Sequence, residues 1–392
     1  MKIVFINKWY SEKMGYVDNF LPKALGKLGH EVHLITTDLQ VYADQVEFYN
    51  SVYKDFLGDR IVETGVFQNK WFTLHRNKHS DIGGIHVENL KNKLIELKPD
   101  IVYLFEILTV DFMTVVSLKK ELNFNIFSES RLHTSILHFP RNLEEIKYYL
   151  SMNRLGRKTS KFITKYYPIA KDVSFNINLI YGVPKSKIQL SSLGVDTDFF
   201  SSARFTKEQV SVFRMSLNIY DDDFLCIYTG RLNEDKNPMI LANAINYLNQ
   251  IGFKKIKGLF VGKGIESYVN KISLSVNCIV KDFVPNEELP LIYSSSNIGV
   301  WPRQESTSRL DAMSCGVPII INNTSSNKKL VDGCGYLLKD NNFIELAKII
   351  SFAYQNKKSH NTKSINSIKR ISSEYSWDTI ARNKLKDFKT YK

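Results

Sequence analysis

Short apolar runs, polar loops and segments with apolar residues at helical spacing follow one another along most of the 392-residue chain. Residues 2–7 predict a buried strand and residues 8–14 a polar loop. From Gly15 a helix is expected, with Phe20, Leu21, Ala24, Leu25 and Leu28 on one face and Gly29 as its stop. A strand over 31–36 completes a β–loop–Gly–α–β opening, the start of a doubly wound α/β domain. No G-x-G-x-x-G occurs there, so a dinucleotide fingerprint is absent. Residues 39–84 break the alternation and are rich in aromatics, among them Tyr42, Phe48, Tyr49, Tyr53 and Trp71; they read as an excursion that lines a substrate cleft. The alternation resumes with a helix over 85–98, a strand over 100–105, a helix over 111–122 and a strand over 125–128. Glu129, Arg131 and His133 fall in the loop after that strand, where ligands bind in open parallel sheets. A helix over 169–181 and a strand over 188–190 close the first half.

The polar segment 200–223 marks the expected boundary, giving domains over 1–200 and 201–375. The second domain repeats the pattern, with strands over 224–228, 256–261, 278–280, 297–301, 317–321 and 335–338. Amphipathic helices are expected at 238–249, 287–294, 342–354 and 377–388. Between Trp301 and Ile321 a strand, a polar loop, a short helix and a strand form a βαβ unit, which implies parallel strands. Glu305, Ser306, Thr307 and Ser308 occupy the loop beyond the strand's carboxyl end, with Asp311 one helical turn on. A helix N-terminus at that place offers free N–H groups to an anion.

Composition narrows the partners. The formal charge is +13, from 53 Lys and Arg against 40 Asp and Glu, which suits a nucleotide, a phospholipid headgroup or a nucleic acid, and equally a merely solvated basic surface. Bases and aromatics interleave over 140–170, including Arg141, Tyr148, Arg154, Arg157, Lys158, Tyr166 and Tyr167. That pattern reads as a surface for anionic lipid, as a stacking surface for single-stranded nucleic acid, or as a solvated helix face followed by a strand. The four cysteines are far apart, without a C-x-x-C, so neither a zinc site nor a disulfide framework is expected. No signal peptide or membrane-spanning helix is expected, and a reduced cytoplasmic location fits.

Arg231 and Lys236 share one strand-to-helix loop after Gly230, and two cations on such a loop can converge on a pyrophosphate. Gly262 and Gly264 follow the next strand as a phosphate-or-turn signal. Asp311 can accept hydrogen bonds from a ribose diol, or close a capping box with Ser308; spacing does not separate the two.

Together the Gly15 loop, Leu193-Gly-Val-Asp196, Gly230-Arg-Leu-x-x-x-Lys236, Val261-Gly-x-Gly264 and Asp311-Ala-Met-Ser-Cys-Gly-Val-Pro318 resemble the GT-B glycosyltransferases, family 4 in particular. The resemblance implies two Rossmann-like domains facing across a cleft, the first for an acceptor and the second for a nucleoside diphosphate sugar, UDP- or GDP-linked. It also implies a C-terminal helix, 376–392, packing back on the first domain. By that resemblance Arg231 and Lys236 bind the donor diphosphate, Asp311 holds the ribose in place of the usual Glu, and Lys281 to Val284 lie beside the base. Gly15 approaches the phosphate, and His133 stands near the reacting sugar. The family's E-x7-E counts back from Asp311 to Arg303, so a shortened loop with Glu305 as the first Glu is expected, the alternative being phosphate binding by Ser306 to Ser308. The implied activity is metal-independent, retaining transfer of a hexose or N-acetylhexosamine to a lipid-linked glycan in bacterial surface polysaccharide or lipopolysaccharide synthesis. The enzyme is expected to be cytoplasmic or peripheral on the inner membrane face, with no organic cofactor, resident metal or nucleic-acid partner. A GT-B sugar-nucleotide epimerase and a basic nucleic-acid-binding protein are the alternatives.

Overall fold

The computed structural model describes residues 1–119, 121–131, 140–303 and 306–391. The chain divides into two compact units, one of Met1–Leu193 with Ile380–Lys392 and one of Gly194–Thr379. The sequence pattern set the divisions at 200/201 and 375/376.

The N-terminal unit is built on a seven-stranded sheet in the order Gly65–Gln68, Thr73–Asn77, Glu31–Thr37, Lys2–Asn7, Ile101–Phe105, Asn125–Ser130, Lys165–Pro168. All neighbours are parallel except the Gly65–Gln68 edge. Apart from the Gly65–Gln68 edge, chain order runs outward in both directions from the pair Lys2–Asn7 and Ile101–Phe105, so the sheet's topological switch point lies between them. Val4, Ile6, Val102, Leu104 and Ile126 are fully or almost fully buried in a core on one face. The other face is aromatic: Phe5 lies opposite Tyr103 in register, and Tyr103 opposite Phe127. Tyr167 stacks on both, at 6.1 Å from Tyr103 and 6.0 Å from Phe127. Helix Trp377–Thr390 covers these rings, Phe388 sitting 4.5 Å from Phe127, and its residues from Ile380 onward belong to this unit.

Two expectations change here, and the basic, aromatic stretch takes the third of its readings, a helix face followed by a strand. The 39–84 excursion contributes the strands Thr73–Asn77 and Gly65–Gln68 to the main sheet. The strand expected over 188–190 reduces to a single bridge from Ile188 to Tyr166. The basic, aromatic stretch is helix Leu143–Ser160 followed by strand Lys165–Pro168, in which Tyr166 and Tyr167 are core residues. A tyrosine in the core stacks on neither bases nor headgroups, so the exposed part of that stretch is the helix with its flanking residues Arg141, Asn142 and Lys161.

A histidine pair lies buried in the same sheet. His33 Nδ1 and His75 Nε2 are 3.0 Å apart, and His33 Nε2 is 3.1 Å from Glu31 Oε1. Burial, and then the neighbouring His33, hold His75 down to about 4 from the ordinary 6.5. A depressed imidazole contributes stability that is present above the unfolded value and is lost as pH falls through the folded one. The urea midpoint should therefore fall between pH 6.5 and 4, and the fall should be shallower in His75→Gln. An unchanged slope in that variant removes His75 as the cause.

The C-terminal unit holds a six-stranded, wholly parallel sheet in the order Cys278–Lys281, Ile256–Val261, Phe224–Thr229, Ile298–Trp301, Ile319–Asn322, Gly335–Leu338. Its switch point lies between Phe224–Thr229 and Ile298–Trp301. Every residue of Phe224–Thr229 and Ile298–Trp301 is buried, as central parallel strands require. Helix Lys357–Arg370 was not anticipated; only His360 and Ser367 of it are buried, so no apolar stripe marks it. Among the described residues no helix is long and apolar enough to cross a membrane.

Candidate functional site

The loops that leave the two central strands of the C-terminal sheet meet at its carboxyl edge. After Thr229 the chain turns at Gly230, whose φ of 140° lies where side chains other than glycine are strained. The next loop is pressed against it: a Cβ on Gly262 would come within 2.0 Å of the Gly230 carbonyl oxygen. Gly230 N–H donates to the Val261 carbonyl at 3.0 Å, and Leu232 N–H to that of Lys263 at 2.9 Å. Gly262 thus has a packing reason to be glycine, the approach of one loop backbone to another.

The 230–236 loop is braced from three sides. Tyr228 Oη donates to the Arg231 carbonyl at 2.9 Å, Asn233 Oδ1 accepts from Lys236 N–H at 3.1 Å, and Arg303 Nη1 donates to the Glu234 carbonyl at 3.0 Å. From the neighbouring strand, Trp301 Nε1 donates to the Thr229 carbonyl at 2.9 Å, and Thr229 Oγ1 and Tyr293 Oη are 2.8 Å apart. A small pocket opens between the two loops, lined by Thr229, Gly230, Lys236, Pro302, Arg303 and Ser306. Burial lowers the Lys236 ammonium below its usual value, and the guanidiniums of Arg231 and Arg309 lower it further. Cations gathered this closely repel one another, and an anion among them relieves the repulsion.

Asp311 stands on helix Ser308–Ser314, and burial pushes its carboxyl up to about 8. The capping-box alternative does not form. Ser308 N–H goes instead to Ser306 Oγ at 3.3 Å, and the helix has no side-chain cap. Nor is the start of this helix a set of free N–H groups. Those of Arg309, Leu310 and Asp311 already donate to the carbonyls of Ser306 and Thr307. The expected anion site at a bare helix end is therefore corrected: what the turn presents is side chains, Ser306 in the pocket lining and Ser308 half-buried.

The remaining expected residues divide. Lys281 lies at the end of an edge strand with its ammonium 3.6 Å from Glu288, and Val284 is a core residue. Thr307 is exposed beside Ser306, and Gly15 is exposed in the loop before helix Val17–Lys27 of the N-terminal unit. Glu305 and His133 lie outside the described residues. The residue missed in the sequence is Arg309. It is 8 % exposed, and donates from Nε to the Ser306 carbonyl at 3.0 Å and from Nη1 to Asn327 Oδ1 at 2.9 Å. A cation directly after three hydroxyl residues in a strand-end loop was the available signal.

Residues 210–370 match the family model of glycosyl transferases group 1. Over 236 residues the chain is 21% identical to an uncharacterised glycosyltransferase of Methanocaldococcus jannaschii. That match takes in 56% of this chain and 58% of the relative, less than two thirds of its length. A glycosyltransferase structure from Rickettsia africae superposes with a TM-score of 0.68 at 14% identity, covering 100% of this chain and 98% of that one. The Anabaena HepE structure in complex with UDP superposes with a TM-score of 0.66 at 13% identity, covering 100% of both chains.

Proposed function

From a chain with the GT-B glycosyltransferase fold, we propose a retaining glycosyltransferase that moves a hexose or N-acetylhexosamine from a nucleoside diphosphate sugar to a glycan acceptor. The observation that carries this reading is Lys236 in the lining of a pocket at the switch point of the C-terminal sheet, with Arg231 and Arg309 near enough to lower its ammonium and Asp311 on the helix that follows the pocket's Ser306. In it the diphosphate lies against Arg231 and Lys236, Ser306 bonds a phosphate oxygen, and Asp311 accepts from the ribose hydroxyls. As the sugar–phosphate bond breaks, charge grows on the leaving diphosphate, and preplaced cations stabilise it more than they stabilise the intact donor. Arg303 and Arg309 position the two loops through backbone and side-chain bonds. With this charge supplied by the protein, turnover is expected to survive a chelator.

A uridine donor is the first to try, since the Anabaena structure contains UDP; a guanosine donor is the second. A thermal-shift panel of nucleoside diphosphates and their sugars tests the reading. A true donor at a hundred times its dissociation constant adds about 2.7 kcal/mol to stability. A panel without any shift sinks it.

The acceptor is proposed to be lipid-linked, at the cytoplasmic face of a membrane, in the assembly of a bacterial surface polysaccharide or lipopolysaccharide. Support comes from helix Leu143–Ser160. Leu143, Ile146 and Leu150 are exposed along one side of it, and Arg154, Arg157 and Lys158 continue that side. Apolar groups at the boundary and bases against anionic headgroups are what an interfacial helix needs. Changing Arg154, Arg157 and Lys158 together to Glu should abolish sedimentation with phosphatidylglycerol vesicles. Unchanged sedimentation would remove the membrane from the account.

A further inference from the structure

The C-terminal sheet ends at strand Gly335–Leu338, which among the described residues pairs with Ile319–Asn322 alone. Asn323 N–H donates to the Leu338 carbonyl at 3.0 Å, so Leu338 turns its backbone groups towards the sheet. Along a strand these groups point to the two sides in turn. Tyr336 therefore faces inward as well, and Gly335 and Leu337 direct their N–H and C=O at the open side. Among the described residues no backbone partner meets them there. Beyond Leu338 the edge closes, because the N–H groups of Lys339 and Asp340 go to the Glu345 carboxylate at 3.0 and 2.9 Å. Between the edge and helix Ser325–Val331 lies an open groove of about 590 Å³. Ser325, Lys328 and Lys329 line it from the helix, and Tyr336 and Leu337 from the strand.

The groove is basic. Lys328 and Lys329 are exposed along it. Helix Lys357–Arg370 supports it: Arg370 Nη1 donates to the Lys329 carbonyl at 2.7 Å, and Asn366 Nδ2 to the Gly333 carbonyl at 3.0 Å. The Lys363 ammonium lies 5.0 Å from the centre of the Tyr336 ring. That helix carries Lys357, Lys358, Lys363, Lys369 and Arg370 and no acidic residue. Against these charges the lining sets the carboxylate of Asp332.

We propose that an acidic, extended segment of a partner protein adds to this edge as a further strand of the C-terminal sheet. Its backbone pairs with the outward N–H and C=O groups of Gly335 and Leu337, and its carboxylates meet Lys328 and Lys329. Main-chain groups on an open edge, with a groove beside them for side chains, are what strand addition uses. The charge selects the partner. A second copy of this chain would bring Lys328 and Lys329 against their own counterparts, and lysines beside an edge keep such strands away. A strand that carries carboxylates meets the same lysines as complements. A phosphorylated polymer would satisfy the lysines and the N–H groups, but it offers no donors to the outward carbonyls, whereas a peptide backbone both donates and accepts. The edge lies two strands from Ile298–Trp301, and the inference does not rest on the donor reading.

Selection of a random peptide display library on the immobilised full chain tests it, followed by fluorescence polarisation with the enriched peptides. Those peptides should carry Asp or Glu within an extended run. Lys328→Glu combined with Lys329→Glu should weaken their binding about tenfold or more. Leu337→Pro, which removes an outward N–H and no ladder bond, should weaken it about tenfold. Methylating alternate amide nitrogens of the peptide, which leaves the protein unaltered, should do the same in one of the two registers. No enriched peptide, or enriched peptides without acidic residues, overturns the proposal. So does binding that both protein variants leave unchanged. Binding that polyphosphate displaces and amide methylation leaves unchanged in both registers also overturns it, and marks a surface for polyanions instead.

Discussion

Arg231→Ala is expected to lower turnover about 10²–10³-fold, the cost of one lost donor to a developing negative charge. Arg231 stands on the loop after the central strand Phe224–Thr229, its carbonyl fixed by Tyr228 Oη. The guanidinium can therefore leave without disturbing the turn, and the loss reports charge and not folding. Lys236→Ala should cost a similar factor, because in the proposed mode the two cations act on one diphosphate. Their effects should fall short of multiplying in the double variant, as expected for groups that act as a unit. Steady-state rates with the donor chosen by thermal shift check this. Near-wild-type turnover in both single variants would remove the charge cluster from catalysis.

Nucleoside diphosphate affinity should rise with pH from about 6 towards 8, and Asp311→Asn should flatten that rise. Burial holds the Asp311 carboxyl up to about 8, against 3.8 for a free one, so below pH 8 the carboxyl is mainly protonated in the free protein. Ribose hydroxyls that donate to it favour the charged form, so binding releases a proton there. The slope approaches about tenfold per pH unit when only the carboxylate binds. For stability the sign is the reverse. With the folded value above the unfolded one, this group's contribution is full below the unfolded value and declines as pH rises through the folded one. Calorimetric titrations in two buffers of different ionisation enthalpy read the released proton directly. An affinity independent of pH, or the same slope in Asp311→Asn, contradicts the ribose role.

How much of this could be read from the residues depended on whether one local pattern decided the outcome. The βαβ unit around Trp301 to Ile321 was legible because its strands are continuous apolar runs and Gly316 ends its helix. The strand Gly65–Gln68 was not: three of its four residues are exposed, and only pairing with Thr73–Asn77 makes it a strand. Asp311 was ambiguous because a capping box and a ligand site need the same spacing. Ser306, whose Oγ takes the Ser308 N–H, removes the capping box and leaves the ribose role as a proposal. Gly262 was legible as a special glycine without its reason, which is the Gly230 carbonyl from another loop.

A crystal structure of the full chain with the nucleoside diphosphate that gives the largest thermal shift tests the central claim most directly. The diphosphate should lie against Arg231 and Lys236, with the ribose hydroxyls within hydrogen-bond distance of the Asp311 carboxylate. A nucleotide bound anywhere else, or none at saturating concentration, would contradict it.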